Sequence, residues 1–179
     1  MNHLISRPIT SRLYFPDWNK SYYNDMIAIN KDEKVMEYFE SVLSEDETTQ
    51  WIAKQKRNIA SYGYGFFPAV LKESDVCIGT IGLQKVPYDS SFTPAYEIGW
   101  RLARNQWRKG YATEGARAMI NLAENAGINE VVAITPCANI ASEGVMLKIG
   151  MEKKGTFMHP SIAESSPLKE CLLYGYKIL

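Results

Sequence analysis

Two cations and two small residues stand together near the middle of the chain, in the run Arg108-Lys109-Gly110-Tyr111-Ala112. Gly110 and Ala112 keep the backbone approachable, and Arg108 and Lys109 place positive charge beside it. If a helix begins here, its first backbone N–H groups have no internal partner and can donate to a phosphate or pyrophosphate. The pattern therefore indicates an anion-binding turn, although an ordinary surface turn with two solvated cations explains the same residues.

A strand and a helix must position that turn. Residues Tyr96–Leu102 are rich in aromatic and β-branched side chains, which predicts a strand that ends before the polar residues 104–106. From Ala112 onward, small and apolar residues recur at helical spacing, and Gly127 is well placed as a left-handed C-terminal cap. The sequence therefore predicts one strand–turn–helix unit over residues 95–127.

The same glycines allow a second interpretation. Gly110, Ala112 and Gly115 form a degenerate G-x-G-x-x-G dinucleotide fingerprint, with Glu130 at the expected distance. In that fingerprint the acid lies at the end of the following strand, whereas Glu130 precedes the apolar run 131–134. We therefore disfavour a nicotinamide cofactor.

The composition is that of an ordinary globular protein. The chain has 179 residues, 46% of them hydrophobic and 22% charged, which suits a single domain over 1–179 with a loose polar tail at 1–10. Lys plus Arg equals Asp plus Glu at 20 each, so nothing global favours nucleic acid or an anionic membrane. A local basic patch is expected from Arg101, Arg104, Arg108 and Lys109. The three cysteines lack metal-ligand spacing and no apolar run has membrane length, so we expect a cytoplasmic protein without a metal.

The remaining elements follow from periodicity and from helix and strand breakers. Three helices are predicted before the main sheet, over 17–30, 33–43 and 44–59. Further strands are predicted over 11–15, 66–71, 77–86, 130–135, 152–157 and 170–178. The second and third of these form a predicted hairpin, and one more helix is predicted over 139–150.

The turn and its helix resemble the acyl-CoA-binding signature of the GNAT superfamily of N-acetyltransferases, whose pattern is Gln/Arg-x-x-Gly-x-Gly/Ala. Gly110 and Ala112 occupy the two small positions, whereas Trp107 departs from the first position. The branch that includes ribosomal-protein N-acetyltransferases often reads Trp-x-Lys-Gly-Tyr-Ala-Thr-Glu, and residues 109–114 match that wording. A second signature of the superfamily, which opens with Asn, maps onto residues 139–151.

This resemblance is strongest over residues 76–179 and implies an α/β (α+β) fold. The implied sheet is mixed, mostly antiparallel, has six or seven strands, is splayed at its centre and is flanked by helices. Acetyl-CoA is the implied donor, with its pantetheine arm in the splay and its pyrophosphate on the N–H groups of residues 108–113. The implied cofactor-binding residues are Trp100, Leu102, Trp107, Arg108, Lys109, Gly110, Tyr111, Ala112, Thr113, Asn139 and Ser142.

Acetyl transfer needs a neutral acceptor amine, because an ammonium has no lone pair. Related enzymes often place a Glu at the position of Glu97, two residues before the implied splay at Gly99; Glu97 is therefore the expected base, or else a solvated or salt-bridged strand residue. Many members protonate the departing thiolate with a Tyr where this chain has Met146. Ser142 or a nearby Tyr could replace it, or the thiolate could leave unassisted. Asn139 could bind the pantetheine amide, cap the following helix, or do both.

The acceptor is the least specified part of the hypothesis, since the N-terminal helices and the loops 87–94 and 159–167 carry no motif. A protein N-terminal α-amine is the leading expectation from the branch, and a small amine such as an antibiotic or polyamine is the second. A CoA-binding sensor or interaction module without turnover is the alternative from another class, and Met146 is its support. His159 is expected to be a structural loop residue rather than a catalytic one. We expect no direct nucleic-acid or membrane partner and allow a homodimer.

Overall fold

The computed structural model describes residues 6–178. Within them the strands are β1 Leu13–Tyr14, β2 Phe66–Leu71, β3 Cys77–Lys85, β4 Tyr96–Leu102, β5 Glu130–Pro136, β6 Glu152–Met158 and β7 Glu170–Lys177. The α-helices are α1 Tyr23–Lys31, α2 Glu45–Tyr62, α3 Tyr111–Asn125 and α4 Ile140–Lys148. Short 3-10 turns occupy Lys20–Tyr22 and Arg104–Gln106.

The strand–turn–helix unit predicted from the sequence is confirmed. β4 has the predicted bounds, and α3 begins one residue before the predicted Ala112. Gly127 follows α3 with a φ of +73°, the left-handed geometry expected of a C-terminal cap. The predicted hairpin is also present, because β2 and β3 pair in antiparallel register.

The prediction of three helices before the main sheet is wrong at two points. Residues 33–43 form turns instead of a helix, and the first helix begins at Tyr23, after a 3-10 turn. Asp32 is extended, and its carboxylate accepts the backbone N–H of Lys34 at 2.8 Å, an arrangement that competes with helix formation. Ser44 and Glu47 do form the predicted helix start, as a reciprocal capping box at the N-terminus of α2.

The sheet has the order β1-β2-β3-β4-β5-β7-β6 and is antiparallel except between β4 and β5. These two parallel strands pair at a single position, Glu97 opposite Val132. β4 continues beside β3 as far as Leu102, and β5 continues beside β7 as far as Pro136. The predicted mostly antiparallel sheet with a central splay is confirmed.

Alternation along β4 assigns its side chains to two faces. Arg101 reaches Asn30 of α1 and Trp51 of α2, so Glu97, Gly99 and Arg101 face those two helices. Trp100 pairs with Ile81, whose side chain lies under Gly115 of α3. A Cβ on Gly115 would lie 2.2 Å from that side chain, so the glycine permits close approach of α3.

The N-terminal segment is described from residue 6 onward, so residues 1–5 of the predicted loose tail lie outside the described part of the chain. Arg7 pairs with Asp17 and stacks over the ring of Phe67, and Ile9 forms a bridge with Tyr14. Between residues 6 and 178, no helix is long and apolar enough to cross a membrane. The same residues contain no cluster of His, Cys, Asp and Glu side chains suited to holding a metal ion.

Candidate active site

The turn before α3 contains two residues in the left-handed conformation. Arg108 has a φ of +61° and Gly110 a φ of +85°. Gly110 is the N-cap of α3 and provides no side chain to cap the first N–H groups. In α2 and α4 the cap side chains of Ser44 and Asn139 accept such a hydrogen bond. The start of α3 therefore keeps its N–H groups open for an anion.

A clamp from the N-terminal segment holds this turn in place. The carboxylate of Glu114 accepts hydrogen bonds from the Thr10 and Ser11 hydroxyls and from the Arg12 backbone N–H and guanidinium. Arg12 also donates to the carbonyl of Lys109 at 2.9 Å. Partial burial alone would raise the pKa of Glu114, but these hydrogen bonds outweigh it and lower the pKa to about 2. The sequence carries no signal for this clamp, because its halves are about a hundred residues apart.

The predicted basic patch is divided between two surfaces. Three cations are exposed around the turn, namely Arg104, Arg108 and Lys109. The ammonium group of Lys109 donates to the side-chain oxygen of Gln106 at 3.1 Å. Arg101 is absent from this surface because strand alternation turns it to the opposite face. The inclusion of Arg101 in the predicted patch is therefore wrong.

Trp107 closes the connection between β4 and α3. Its indole N–H donates to the carbonyl of Leu102 at 2.8 Å, while 43% of the residue remains exposed. The residue at the unusual first position of the signature thus has a role in shaping the turn.

The splay leaves a row of β4 backbone groups facing a gap. The backbone N–H of Ala103 donates to the carbonyl of Ile78 on β3 at 2.8 Å. Because successive residues of a strand point their backbone groups to opposite sides, the alternate residues before and after each β3-facing residue point theirs away from β3. Trp100 and Leu102 are those alternate residues, and β5 pairs with β4 only further back, at Glu97. The two residues therefore present backbone groups to the gap, and the Leu102 carbonyl there is already engaged by Trp107.

Glu97 lies at the point where β4 and β5 separate. Its side chain accepts a hydrogen bond from the amide of Gln84, its cross-strand partner, at 3.4 Å. Among residues 6–178 it forms no salt bridge, so the salt-bridged alternative is not supported. Burial raises the pKa of Glu97 to about 7, and the hydrogen bond from Gln84 opposes the shift. A carboxyl group with this pKa can exchange a proton near neutral pH.

Asn139 and Ser142 stand together at the start of α4, on the far side of the gap. The Asn139 side chain accepts the N–H of Ser142 at 3.1 Å, which confirms its N-cap role. Ser142 is half-buried, and its hydroxyl makes no hydrogen bond within the described residues. Met146 is only 1% exposed, so its side chain belongs to the core. Among the described residues, the Ser142 hydroxyl at the start of α4 is therefore available as a hydrogen-bond donor, whereas the Met146 side chain carries no donor.

Aromatic contacts join the two loops expected to form the acceptor pocket. The rings of Tyr88 and His159 pack edge-on, with their centroids 4.5 Å apart. The rings of Phe92 and Phe157, the latter in β6, have centroids 4.9 Å apart. Burial first, and then the nearby Glu97 carboxylate, raise the pKa of Tyr88. His159 accepts the N–H of Ser161 and has its pKa lowered by burial. These contacts support the structural interpretation of His159.

A cleft of about 680 Å³ opens beside Gly110 and Thr113. Its lining includes residues 6–12, Arg117 and Lys148. The cleft lies at the anion-binding end of the site, away from Glu97. Glu130, the acid of the alternative dinucleotide fingerprint, begins β5 at the opposite edge of the sheet from Gly110.

The C-terminal ends of the parallel strands β4 and β5 bring the predicted cofactor residues to one edge of the sheet. The turn before α3 follows β4, and Asn139 follows β5. Glu97 lies inside the sheet at the base of the gap, five residues before Leu102, the last residue of β4. The arrangement is a gap between two strands, with anion-binding N–H groups at one end and a half-buried carboxyl group at the other.

Solved structures share this architecture. An acetyltransferase of the GNAT family from Bacillus anthracis matches with a TM-score of 0.80 and 25% identity, over 96% of this chain and 98% of that chain. RimL, a ribosomal α-N-protein acetyltransferase in complex with coenzyme A, matches with a TM-score of 0.77 at 15% identity, over 97% of this chain and 98% of that chain. The splayed sheet and open helix start thus define a GNAT-type acetyltransferase fold.

Sequence comparison gives the family itself. The sequence model of the acetyltransferase (GNAT) domain matches residues 12–152. The uncharacterized N-acetyltransferase YnaD of Bacillus subtilis (strain 168) is 32% identical over 158 residues, which cover 87% of this chain and 85% of the relative. The chain belongs to the GNAT acetyltransferase family. It is an N-acetyltransferase, and acetyl-CoA is its acetyl donor.

Proposed function

We propose that this chain acetylates a primary amine by direct attack of the amine on acetyl-CoA, without a covalent enzyme intermediate. The observation that carries the proposal is the gap between β4 and β5, which leads to the uncapped start of α3. The pantetheine arm pairs with backbone groups of Trp100 and Leu102 and with Asn139. The pyrophosphate takes the N–H groups of residues 108–113, with Arg108 and Lys109 adding charge.

Glu97 acts as the general base, directly or through a water molecule. Amines with pKa values of about 8 to 10.4 are mostly protonated at neutral pH and must lose a proton before attack. The half-buried carboxyl group of Glu97, with a pKa of about 7, is matched to this task because it is ionised in part and still basic enough to accept the proton. Its position at the base of the gap supports this role.

Ser142 relays a proton to the departing thiolate, because its hydroxyl hydrogen-bonds to the sulfur and takes a proton back from water as it gives one up. Its hydroxyl is free of other partners among the described residues, and it lies in the first turn of α4, beside Asn139. Because a thiol pKa near 8.5 already makes the thiolate a tolerable leaving group, we expect a smaller contribution from Ser142 than from Glu97.

A protein N-terminal α-amine is the acceptor we favour, with a small-molecule amine as the second candidate. The fold similarity to RimL supports the first choice. On this proposal, the acceptor enters over the joined loops that contain Tyr88 and His159, and its amine reaches the carboxylate of Glu97.

Calorimetric titration with acetyl-CoA tests the cofactor site through two matched variants. Gly110→Glu places an anion where the pyrophosphate should bind, and Gly127→Glu places the same side chain at the other end of α3. Both glycines have positive φ, +85° and +73°, so both variants carry a similar backbone penalty. We expect wild type and Gly127→Glu to bind acetyl-CoA and Gly110→Glu to lose binding. Equal loss in both variants, or full binding by Gly110→Glu, would contradict the proposed site.

A further inference from the structure

Arg101 is a half-buried cation on the face of β4 that is covered by α1 and α2. Its guanidinium carbon lies 4.4 Å from the centroid of the Phe39 ring and 5.5 Å from the centroid of the Trp51 ring. One terminal nitrogen donates to the side-chain oxygen of Asn30, whose amide nitrogen donates in turn to Thr48 at 3.1 Å. The Nε atom is buried and has no partner among the described residues.

The charge of Arg101 has no carboxylate partner among residues 6–178. Among residues 6–178, Arg101 takes part in no salt bridge, although acidic side chains are common in the neighbouring segment 32–47. Burial lowers the pKa of Arg101 to about 10, so the group remains charged at neutral pH. Stacking on the two aromatic rings compensates only part of the desolvation of a cation. An anion at this point would supply the missing partner.

The position of Arg101 relates it to the proposed base. Glu97, Gly99 and Arg101 share one face of β4, and the Cα atoms of the two charged residues are about 13 Å apart along the strand, at roughly 3.3 Å per residue. Gly99 between them has no side chain, and the edge of the Phe66 ring lies against it. Glu97 and Arg101 therefore lie on either side of Gly99 and the Phe66 ring, on one face of the strand.

We propose that Arg101 binds a negatively charged group of the acceptor, so that the enzyme prefers amines that carry a carboxylate or a phosphate. The inference rests on the proposed function and narrows its acceptor class. An acidic side chain near the N-terminus of a protein and the acid group of a small amino compound offer the same chemistry. In both, the guanidinium fork can pair with two anionic oxygens.

Matched acceptor pairs that differ only in charge test the proposal. The small-molecule probes are ε-aminocaproate with its amide, and aminohexyl phosphate with aminohexanol. The peptide probes are a hexapeptide amide that begins Ser-Glu and its counterpart that begins Ser-Gln. Values of kcat/KM would be measured for wild type, Arg101→Gln and Arg101→Lys, with acetyl-CoA binding by calorimetry as the check that each variant is folded. The small and peptide pairs distinguish the two sources of the anion.

For wild type, we expect the charged member of at least one pair to be favoured by about tenfold or more, the range of a charge-assisted hydrogen bond. Arg101→Gln should abolish that preference, so that the charged member loses far more kcat/KM than the neutral member, and Arg101→Lys should retain part of the preference. Equal rates for both members of every pair in wild type, or a preference that survives Arg101→Gln, would overturn the inference.

A thermal-shift measurement separates this inference from the proposed function. If wild type neither binds acetyl-CoA nor acetylates any probe, the proposed function fails. Stabilisation of wild type, but not of Arg101→Gln, by ε-aminocaproate would still support an anion site at Arg101. Without turnover, absence of that stabilisation would reject the site as well.

Discussion

Glu97 illustrates how a single residue acquires its chemistry from its surroundings. A glutamate on an exposed strand would ionise near its ordinary pKa, but burial at the base of the splay raises the pKa of Glu97 to about 7. Gln84 gives one hydrogen bond to the carboxylate and so opposes the shift without removing it. The balance leaves a group that is half ionised near the pH at which an amine must be deprotonated.

Replacing the proposed base should change both the rate and its pH dependence. For wild type, kcat/KM should rise with pH through about 7, because only the ionised carboxylate accepts a proton. Glu97→Gln should lower kcat/KM by about 10²–10⁴-fold. It should also remove the rise of kcat/KM near pH 7 and leave only the rise at higher pH that is caused by deprotonation of the amine. The measurement is a pH–rate profile with one fixed acceptor.

Glu130→Gln is the control for this experiment, since Glu130 is an exposed carboxylate at the start of the neighbouring strand β5. It should behave as wild type. A Glu97→Gln variant that keeps both the rate and the limb near pH 7 would remove Glu97 from the mechanism.

At the scale of elements, α3 owes its open start to contacts made elsewhere. Glu114 in its first turn is bound by residues 10–12, so this acidic side chain is drawn away from the N–H groups it could otherwise cover. Arg12 at the same time fixes the Lys109 carbonyl and lies over the ring of Tyr111, 4.4 Å from its centroid. The N-terminal segment therefore prepares the proposed anion site without belonging to the GNAT signature.

Removing the charge of Glu114 should destabilise the fold in a pH-dependent way. Because the pKa of Glu114 is lowered from 4.5 to about 2 on folding, its contribution is complete above pH 4.5 and is lost as the pH falls toward 2. After a discount for partial exposure, the loss in Glu114→Gln should be on the order of 2 kcal/mol at pH 7. Urea unfolding of wild type and variant over a pH series measures it.

Glu124→Gln is the matched variant, since Glu124 is exposed near the end of the same helix. It should follow wild type at every pH. If Glu114→Gln also followed wild type down to about pH 2, the clamp would not contribute to stability.

At the scale of the whole molecule, the sheet is incomplete between β4 and β5, because the two strands pair only at Glu97 and Val132. The β1–β4 half and the β5–β7 half of the sheet pair at one position. Helix α3 packs on β3 and β4 from one face, and α1 packs from the other. A pantetheine arm that pairs with Trp100 and Leu102 would join the two halves along the gap. On this proposal, binding of the cofactor stabilises the fold as well as the reaction site.

Hydrogen exchange can follow this completion of the sheet residue by residue. Saturating acetyl-CoA should slow exchange at the backbone amides of Trp100 and Leu102, which face the gap. The amides of Gly99 and Arg101 face β3 and should change less. At a ligand concentration of about 100 Kd, the unfolding free energy should rise by about 2.7 kcal/mol. Equal protection at all four positions, or none, would contradict the strand-like placement of the arm.

Local pattern was sufficient for much of this protein. Periodicity and breakers predicted β4, α3 and the cap at Gly127, because each depends on neighbouring residues. The turn Trp107–Ala112 carried the family resemblance for the same reason, since an open helix start is a local feature. The cofactor roles inferred from that resemblance stay predictions.

Only the tertiary structure decided which side chains meet across long stretches of chain. Segment 33–43 forms turns after Asp32 instead of the predicted helix. Arg101 lies on the α1–α2 face and not in the predicted basic patch. Glu114 is hydrogen-bonded by Thr10, about a hundred residues earlier in the chain. The raised pKa of Glu97 likewise depends on burial that no local pattern reports. Burial, charge balance and contacts between distant residues are set by packing, so they became visible only when the sheet and helices were assembled.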